Sequence, residues 1–278
     1  LSPGSLGGKG RGLAFIHTLI YNFDISNYVP GINIKAPRTF IIGTNEFEDF
    51  LDNNKLRASV FSETSCEKIK ELFIRGRLTP VLENKLRIIL GKIRKPLAVR
   101  SSGLFEDSLM QPFAGIFETF LVPNSNEDIE VCLKQLTDAI KLVYASIYSE
   151  TARGYINAIN YKIEEEKMGV IIQEVVGEQY ENFYYPHISG VSQSYNYYPY
   201  GYMQPEDGFS VIAVGLGTYV VEGEKAFRFS PKYPNLENNT PRDQYMNSQV
   251  EFYAIDLRKK ELNLLQGDTV GLARLSID

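Results

Sequence analysis

The stretch PLAVRSSGLFEDSLMQPFAGIFETFLV, residues 96–122, contains the pattern that decides the fold. An apolar run ends in Arg100, which is followed by the hydroxyl pair Ser101-Ser102, the acidic pair Glu106-Asp107 and a glycine-led strand at 115–122. A guanidinium can bind a phosphate through two parallel hydrogen bonds. The pattern predicts a strand that ends at Arg100, with the two serines in the turn after it. It indicates a site for an anionic, metal-bound ligand.

Arg100 has a second interpretation, because a salt bridge to Glu106 or Asp107 would also explain a cation at this place. The sequence leaves both roles open. In the ligand-binding interpretation, we expect the acidic pair to orient the cations or the metal ion.

Length and charge narrow the classes of function. A chain of 278 residues can bury a large core as one domain or as two subdomains. The 29 basic and 34 acidic residues give a net charge of −5, which argues against a nucleic-acid partner. No run of 18 apolar residues is present, so no membrane span is expected. The chain opens at Leu1 rather than Met, and we expect it to be part of a longer protein.

Cysteine and histidine usage excludes several chemistries. Cys66 and Cys132 lie far apart, and we predict two free, buried thiols in a reducing cytoplasm. They have no C-x-x-C spacing and no nearby basic activator, which argues against a nucleophilic cysteine. With His17 and His187 as the only histidines, a zinc cluster or a serine-histidine-acid triad has few residues to use.

A glycine-rich segment opens the chain, GSLGGKGRGLAFIHTLIYNF at residues 4–23. Apolar residues recur at helical spacing from Leu13 to Phe23, so the segment predicts a glycine-lysine loop followed by a helix. Lys9 and the helix N-terminus could bind an anion. A flexible loop before an ordinary amphipathic helix is the equally weighted alternative, and the spacing is not that of a P-loop.

Further along the chain, the pattern predicts helices and a few strands first, and then an antiparallel sheet. Residues 36–43 read as a strand with Thr44 capping the next helix, and Thr79 caps a helix that begins at Pro80. Apolar spacing predicts one long helix over 129–147. Short strands follow from residue 168. The tyrosine-rich segment 180–202 is more typical of a loop or sheet edge than of a stacking surface, although both remain open.

Several stretches together resemble one family. In order, segments of this chain resemble the nucleotide-binding domain of phosphoenolpyruvate synthase and pyruvate phosphate dikinase, which rifampin phosphotransferase also contains. The resemblance extends over about residues 5–232. The segments are LGGKG (6–10), APRTFIIGTNEFEDFL (36–51), LAVRSSGLFEDSLMQPFAGIFETFLV (97–122), AIKLVYASIYSETARGY (139–155), ISGVSQS (188–194) and VGLGTYVVEG (214–223).

The resemblance implies an α+β, ATP-grasp-like nucleotide-binding domain of two lobes. The first lobe would be 1–165, with the glycine-lysine loop and the AVRSS segment. The second would be 166–278, a mainly antiparallel sheet with the adenine hinge and the GLG turn. Lys9 and Arg100 would be the catalytic cations on the phosphates. The nucleotide-binding set implied by the resemblance is Lys9, Arg100, Asp107, Gly115, Thr119, Gln173, Glu174 and Val175, the last three forming the hinge.

The magnesium ligands depart from the family pattern. Thr218 follows the GLG turn where relatives usually have Glu, and a second ligand position, commonly Gln, falls at Arg228. Replacing a carboxylate by a hydroxyl weakens a site for a hard cation, and a nearby arginine repels the ion. Glu222 and Glu224 are close enough in sequence to substitute, although surface charges on a turn are the slightly favoured alternative. The metal set implied is therefore Glu222 with Thr218.

The resemblance implies an ATP- and Mg²⁺-dependent phosphotransferase module. It would transfer phosphate from ATP to a histidine on a domain absent from this chain. Its partners would be the nucleotide and the downstream phosphohistidine and pyruvate/phosphoenolpyruvate-binding domains of the same polypeptide. The alternative is a nucleotide-binding or regulatory module with weakened catalysis. An interaction surface on the tyrosine-rich segment is a third possibility, with only composition behind it.

Overall fold

A computed structural model describes residues 1–23, 29–104, 106, 115–159, 162–221, 223, 225–236 and 240–277. The chain forms two compact units. Unit 1 contains residues 1–175 and 259–271, and unit 2 contains residues 176–258 and 272–278. The described residues combine helices with antiparallel sheets, which confirms the α+β class predicted from the sequence.

Unit 1 packs helices against one four-stranded antiparallel sheet. Its core joins the buried sheet face to the long helix α6. The described helices are α1 (Gly7–Asn22), α2 (Thr44–Asn53), α3 (Arg57–Ser62), α4 (Cys66–Arg75), α5 (Pro80–Lys92), α6 (Ile129–Ala145) and α7 (Glu150–Ala158), and the strands are β1 (Thr39–Ile42), β2 (Leu97–Gly103), β3 (Thr119–Val122) and β4 (Met168–Glu174). Short 3₁₀ turns cover Ser146–Tyr148, Ile163–Glu165 and Leu264–Gln266.

Unit 2 is built mainly from two antiparallel sheets, with strand orders β11-β10-β6-β5 and β7-β8-β9. A 3₁₀ turn covers Pro205–Asp207. The described elements are β5 (Glu178–Tyr180), β6 (Phe183–Tyr185), β7 (Ile188–Gln193), β8 (Phe209–Val214), α8 (Thr218–Val221), β9 (Phe227–Phe229), α9 (Pro241–Asn247), β10 (Glu251–Asp256) and β11 (Leu272–Ser276).

The unit 1 sheet has the strand order β1-β4-β2-β3. Strand β4 therefore pairs with β1 on one side and with β2 on the other. This pairing keeps β4 in unit 1, so the chain passes between units at 175–176, ten residues after the lobe boundary predicted at 165–166. The assignment of the two units as ATP-grasp lobes stays a prediction.

Strand β2 continues past the residue where the sequence predicted its end. Ser101, Ser102 and Gly103 pair with Val170, Gly169 and Met168 of β4. The two serines thus lie in the strand, and the prediction that they shape a turn is wrong.

The helix signals were largely accurate. Helix α6 begins at Ile129, and its predicted inward residues Leu133, Leu136 and Ile140 are buried. Helix α2 begins at Thr44 itself, so the residue is the first of the helix rather than its cap. Of the described helices, none is long and apolar enough to cross a membrane.

The cysteines are both free, as predicted. Cys132 is buried in α6, and burial raises the pKa of its thiol, which suits a structural rather than a reactive residue. Cys66 is only partly buried at the start of α4, so the prediction of a second fully buried thiol is wrong.

Thr79 joins a helix cap to a buried carboxylate. Its hydroxyl oxygen accepts from the Leu82 N–H and its O–H donates to Glu46, 2.6 Å away. We expect Thr79→Ala to lower the free energy of unfolding by about 1–2 kcal/mol, because the cap is lost and buried Glu46 loses a donor. Thr79→Ser keeps the hydroxyl and is the matched control in a urea titration. Equal losses in the two variants would contradict the assignment.

Candidate functional site

The predicted site residues Arg100, Thr119 and Gln173 share one face of the unit 1 sheet. Arg100 lies opposite Thr119 on β3 and opposite Ile171 on β4, and Gln173 lies two residues beyond Ile171. Cross-strand partners share a face, and so do residues two apart. We call this surface the Arg100 face. All three named side chains are partly exposed on it.

The opposite face of the same sheet is core. Val99, Phe120 and Ile172 are at most 1% exposed and belong to one apolar cluster with Leu136 of α6. Because Val99 and Arg100 are consecutive in β2, the Val99 side chain lies on the buried core face and that of Arg100 lies on the Arg100 face. A rigid, helix-backed sheet is a suitable base for side chains that must hold a fixed geometry.

Arg100 keeps its charge available. Within the described residues, its guanidinium has no ion pair or hydrogen-bonded partner. Glu106, one of its two predicted alternative partners, binds Lys9 instead. Asp107, the other alternative and a predicted nucleotide contact, lies outside the described residues. An unpaired, partly exposed guanidinium on a polar face is suited to binding an anion.

Lys9 forms an ion pair that the sequence did not reveal. Its ammonium donates to the carboxylate of Glu106 and lies 3.5 Å from the Ser101 hydroxyl oxygen. The carboxylate also accepts from the Ser101 hydroxyl at 2.9 Å and from the Gly103 N–H at 3.0 Å. The Glu106 side chain is fully buried, whereas that of Lys9 is 20% exposed. Three donors thus hold one buried carboxylate.

The two predicted phosphate cations occupy different places. Ser101 alternates with Arg100 along β2, so its side chain lies on the opposite sheet face. The described contacts of Lys9 are with Ser101 and Glu106, and not with Arg100. The structure therefore brings Arg100, Thr119 and Gln173 onto one face, and it holds Lys9 at the end of β2.

The glycines around Lys9 have a packing role. Helix α1 already begins at Gly7, so Gly7 to Gly10 form its first turn, and the prediction of a loop here is wrong. A Cβ at Gly7 would stand 1.9 Å from the Ser102 carbonyl oxygen, and one at Gly8 would stand 1.6 Å from that of Glu106. Only glycine permits such an approach. The Gly10 N–H then donates to the Ser102 hydroxyl at 2.9 Å, which fixes α1 to β2.

Two backbone N–H groups of the predicted adenine hinge, residues 173–175, are already hydrogen-bonded within unit 1. The N–H of Glu174 donates to the Arg38 carbonyl at 3.0 Å, and that of Val175 donates to the Pro96 carbonyl at 2.9 Å. The Gln173 side-chain amide donates to the Thr39 hydroxyl at 2.9 Å. If this segment contacts adenine, the ring must be recognised through other groups. No sequence pattern indicated these pairings, because the partners are far apart along the chain.

Gly115 has a positive φ of +73° and stands in a turn just before β3. No described atom lies within 4 Å of the position its Cβ would take. Space at this turn is compatible with its predicted role beside the phosphates, which stays a prediction.

The predicted magnesium ligands are only partly described. Thr218 begins α8 in unit 2, and Glu222 and Glu224 lie outside the described residues. The described part of the chain contains no group of three or more histidine, cysteine or acidic side chains that could hold a metal ion. One threonine hydroxyl does not fit the oxygen-rich shell that Mg²⁺ requires.

Arg228, the second predicted metal position, is engaged within unit 2. Its guanidinium lies 3.8 Å from the Phe209 ring centroid and donates to the Asn196 amide oxygen at 2.9 Å. It also lines a cavity of about 650 Å³ with Tyr200 and Gln244. Arg228 is thus held by two contacts within unit 2, and as a cation it cannot act as a metal ligand.

The tyrosine-rich segment divides into packed and exposed residues. Tyr184 is buried and donates to the Gly177 carbonyl, and Tyr185 packs edge-on against Phe252. Tyr197 and Tyr198 are at least 75% exposed. The first pair lies in β6, an inner strand of its sheet, so the sheet-edge prediction does not hold for these two residues. The second pair leaves the surface interpretation open.

The mixed α+β fold, with a cation on one face of its sheet, is consistent with a nucleotide-binding domain. Comparison with known families gives the same class. Residues 4–267 match the family model described as the pyruvate phosphate dikinase AMP/ATP-binding domain, and the chain belongs to that family. It is thus an ATP-binding module of the kind found in phosphotransferases.

Individual relatives are distant. The chain is 30% identical over 193 residues to an uncharacterized phosphotransferase, YvkC, of Bacillus subtilis, covering 68% of this chain and 20% of that protein. It is 28% identical to phosphoenolpyruvate synthase of Aeropyrum pernix over 58% of this chain and 18% of the relative. The chain is 25% identical to phosphoenolpyruvate synthase of Escherichia coli, over 76% of this chain and 27% of the relative. The chain therefore spans about a fifth to a quarter of the length of these relatives.

Proposed function

We propose that this chain is the nucleotide-binding module of a phosphotransferase that moves phosphate from ATP to a histidine on another domain of the same polypeptide. The observation that carries the proposal is the Arg100 face, where a guanidinium with no ion-pair partner among the described residues stands opposite Thr119 on a sheet backed by helices. Phosphoryl transfer depends mostly on positioning and charge neutralisation, and this face supplies both.

The residues take separate roles in this proposal. Arg100 holds the phosphates and spreads their charge through paired N–H donors. Thr119 offers a hydroxyl beside it, and the segment from Gln173 to Val175 borders the adenine. We include Mg²⁺ as the ion that the nucleotide brings to the site. The downstream phosphohistidine and pyruvate/phosphoenolpyruvate-binding domains, an ATP-grasp closure and a cytoplasmic location also belong to the proposal.

A second candidate function is a nucleotide-binding regulatory module with weakened catalysis. Two observations favour it: Thr218 replaces a carboxylate, and Arg228 is fixed by Phe209 and Asn196. Both functions require nucleotide binding, and they differ in whether a metal ion contributes.

Calorimetric titration of this chain with ATP, with and without Mg²⁺, separates the two. The phosphotransferase module should bind ATP in the micromolar to millimolar range, with tighter binding when Mg²⁺ is present. Affinity indifferent to Mg²⁺ would favour the regulatory module. Adenosine is the matched control ligand, because it lacks the phosphates that Arg100 binds. Absence of ATP binding under both conditions would contradict both functions.

A further inference from the structure

The Lys9–Glu106 ion pair has a consequence for ligand selection. Glu106 is held independently of Lys9 by the Ser101 hydroxyl and the Gly103 N–H. The carboxylate therefore stays in place whether or not Lys9 remains on it. Lys9 is the more accessible partner, with a fifth of its side chain exposed. Of the two, Lys9 is the one that can change partners.

We infer that Glu106 competes with the phosphates of the nucleotide for Lys9, and so determines how strongly the site distinguishes phosphorylated from unphosphorylated ligands. This inference rests on the proposed ATP-binding function, with Lys9 as a second cation that reaches the phosphates from the end of β2. Lys9 contributes fully to phosphate binding only after it exchanges Glu106 for the ligand. Arg100 supplies the first attraction, since within the described residues it has no partner to give up.

Relative magnitudes favour competition over the opposite role, in which Glu106 would position Lys9 for the ligand. Ordering one long side chain in advance improves affinity by about tenfold at most. Separating a buried ion pair has a larger cost than that. A phosphate bound to Lys9 would also lie near the retained Glu106 charge and would be repelled by it. The net effect of Glu106 on phosphate binding is therefore unfavourable.

The test compares ATP and adenosine affinities in wild-type chain and Glu106→Gln. The glutamine keeps the shape and an acceptor for the Gly103 N–H, and it releases Lys9. We expect ATP to bind about tenfold more tightly and adenosine to bind unchanged. The gain requires Lys9, so Glu106→Gln should gain little in a Lys9→Met background. An equal gain in both backgrounds would overturn the inference.

Asp138→Asn is the matched control. It removes another ion pair of low exposure, between Asp138 and Lys141 of α6, on the helix that packs against the core face of the sheet. The ratio of ATP to adenosine affinity should remain that of the wild type. If Glu106→Gln does not fold, Glu106→Asp should show a smaller, ATP-specific gain, because its shorter carboxylate draws back from Lys9.

The outcomes separate two failures. A wild-type chain that does not bind ATP would contradict the proposed function, and this inference with it. A wild-type chain that binds ATP, beside a folded Glu106 variant of equal or weaker ATP affinity, would contradict only the competition by Glu106.

Discussion

Arg100→Ala is expected to weaken ATP binding by roughly 2–4 kcal/mol, or about 30- to 1,000-fold. Arg100 stands on a polar sheet face, and within the described residues its guanidinium has no carboxylate partner. No described residue therefore neutralises its charge, and a bound phosphate would receive most of its interaction. Adenosine affinity should change much less, because that ligand has no phosphate. Calorimetric titration with the two ligands measures both effects.

Arg87→Ala is the matched control for this substitution. Arg87 forms an exposed two-point pair with Glu130 and lies on α5, away from the Arg100 face. Its loss should leave ATP affinity unchanged and should affect stability by less than about 1 kcal/mol. The free energy of unfolding of Arg100→Ala should also stay near wild type, since no ion pair with a described residue is broken. Unchanged ATP affinity in a folded Arg100→Ala chain would contradict the site assignment.

Gly8→Ala is expected to lower the free energy of unfolding by about 3 kcal/mol. The new methyl group would stand 1.6 Å from the Glu106 carbonyl oxygen, a backbone atom that cannot rotate away. The first turn of α1 must then move off β2, which also disturbs Lys9. Denaturant unfolding monitored by circular dichroism gives the size of the loss.

Gly12→Ala in the same helix provides the comparison. Among the described residues, no neighbouring atom lies within 4 Å of the Cβ position of Gly12, and alanine is the better helix former. This variant should gain about 0.5–1 kcal/mol in the free energy of unfolding. If Gly8→Ala were as stable as Gly12→Ala, the close contact between α1 and Glu106 would not exist in solution.

Local signals in the sequence predicted the elements that depend on local physics. Thr79 with Pro80 marked the start of α5, because a cap and a missing N–H act within one turn. The apolar spacing of α6 likewise identified which residues face the core. The apolar run before Arg100 predicted the strand itself but not its end, because β2 continues to Gly103.

The site contacts that sequence reasoning missed join residues far apart along the chain. Lys9 and Glu106 are 97 residues apart, and no periodicity links them. The glycines of α1 suggested room for a ligand, yet the backbone they approach is that of Ser102 and Glu106. Glycine occurs both in flexible segments and at close backbone contacts. Only the three-dimensional contact distinguishes them.

The central position of β4 affects how the protein is made. Strand β4 is the last of the four strands to be synthesised, and it separates β1 from β2 in the finished sheet. During synthesis, β1 therefore lacks β4, its paired neighbour among the described strands, until Glu174 at the end of β4 has left the ribosome. Sheets closed by such distant segments form slowly and expose unpaired edges meanwhile. A fragment that stops before Met168 would contain Arg100 but would lack the strand that completes its surroundings.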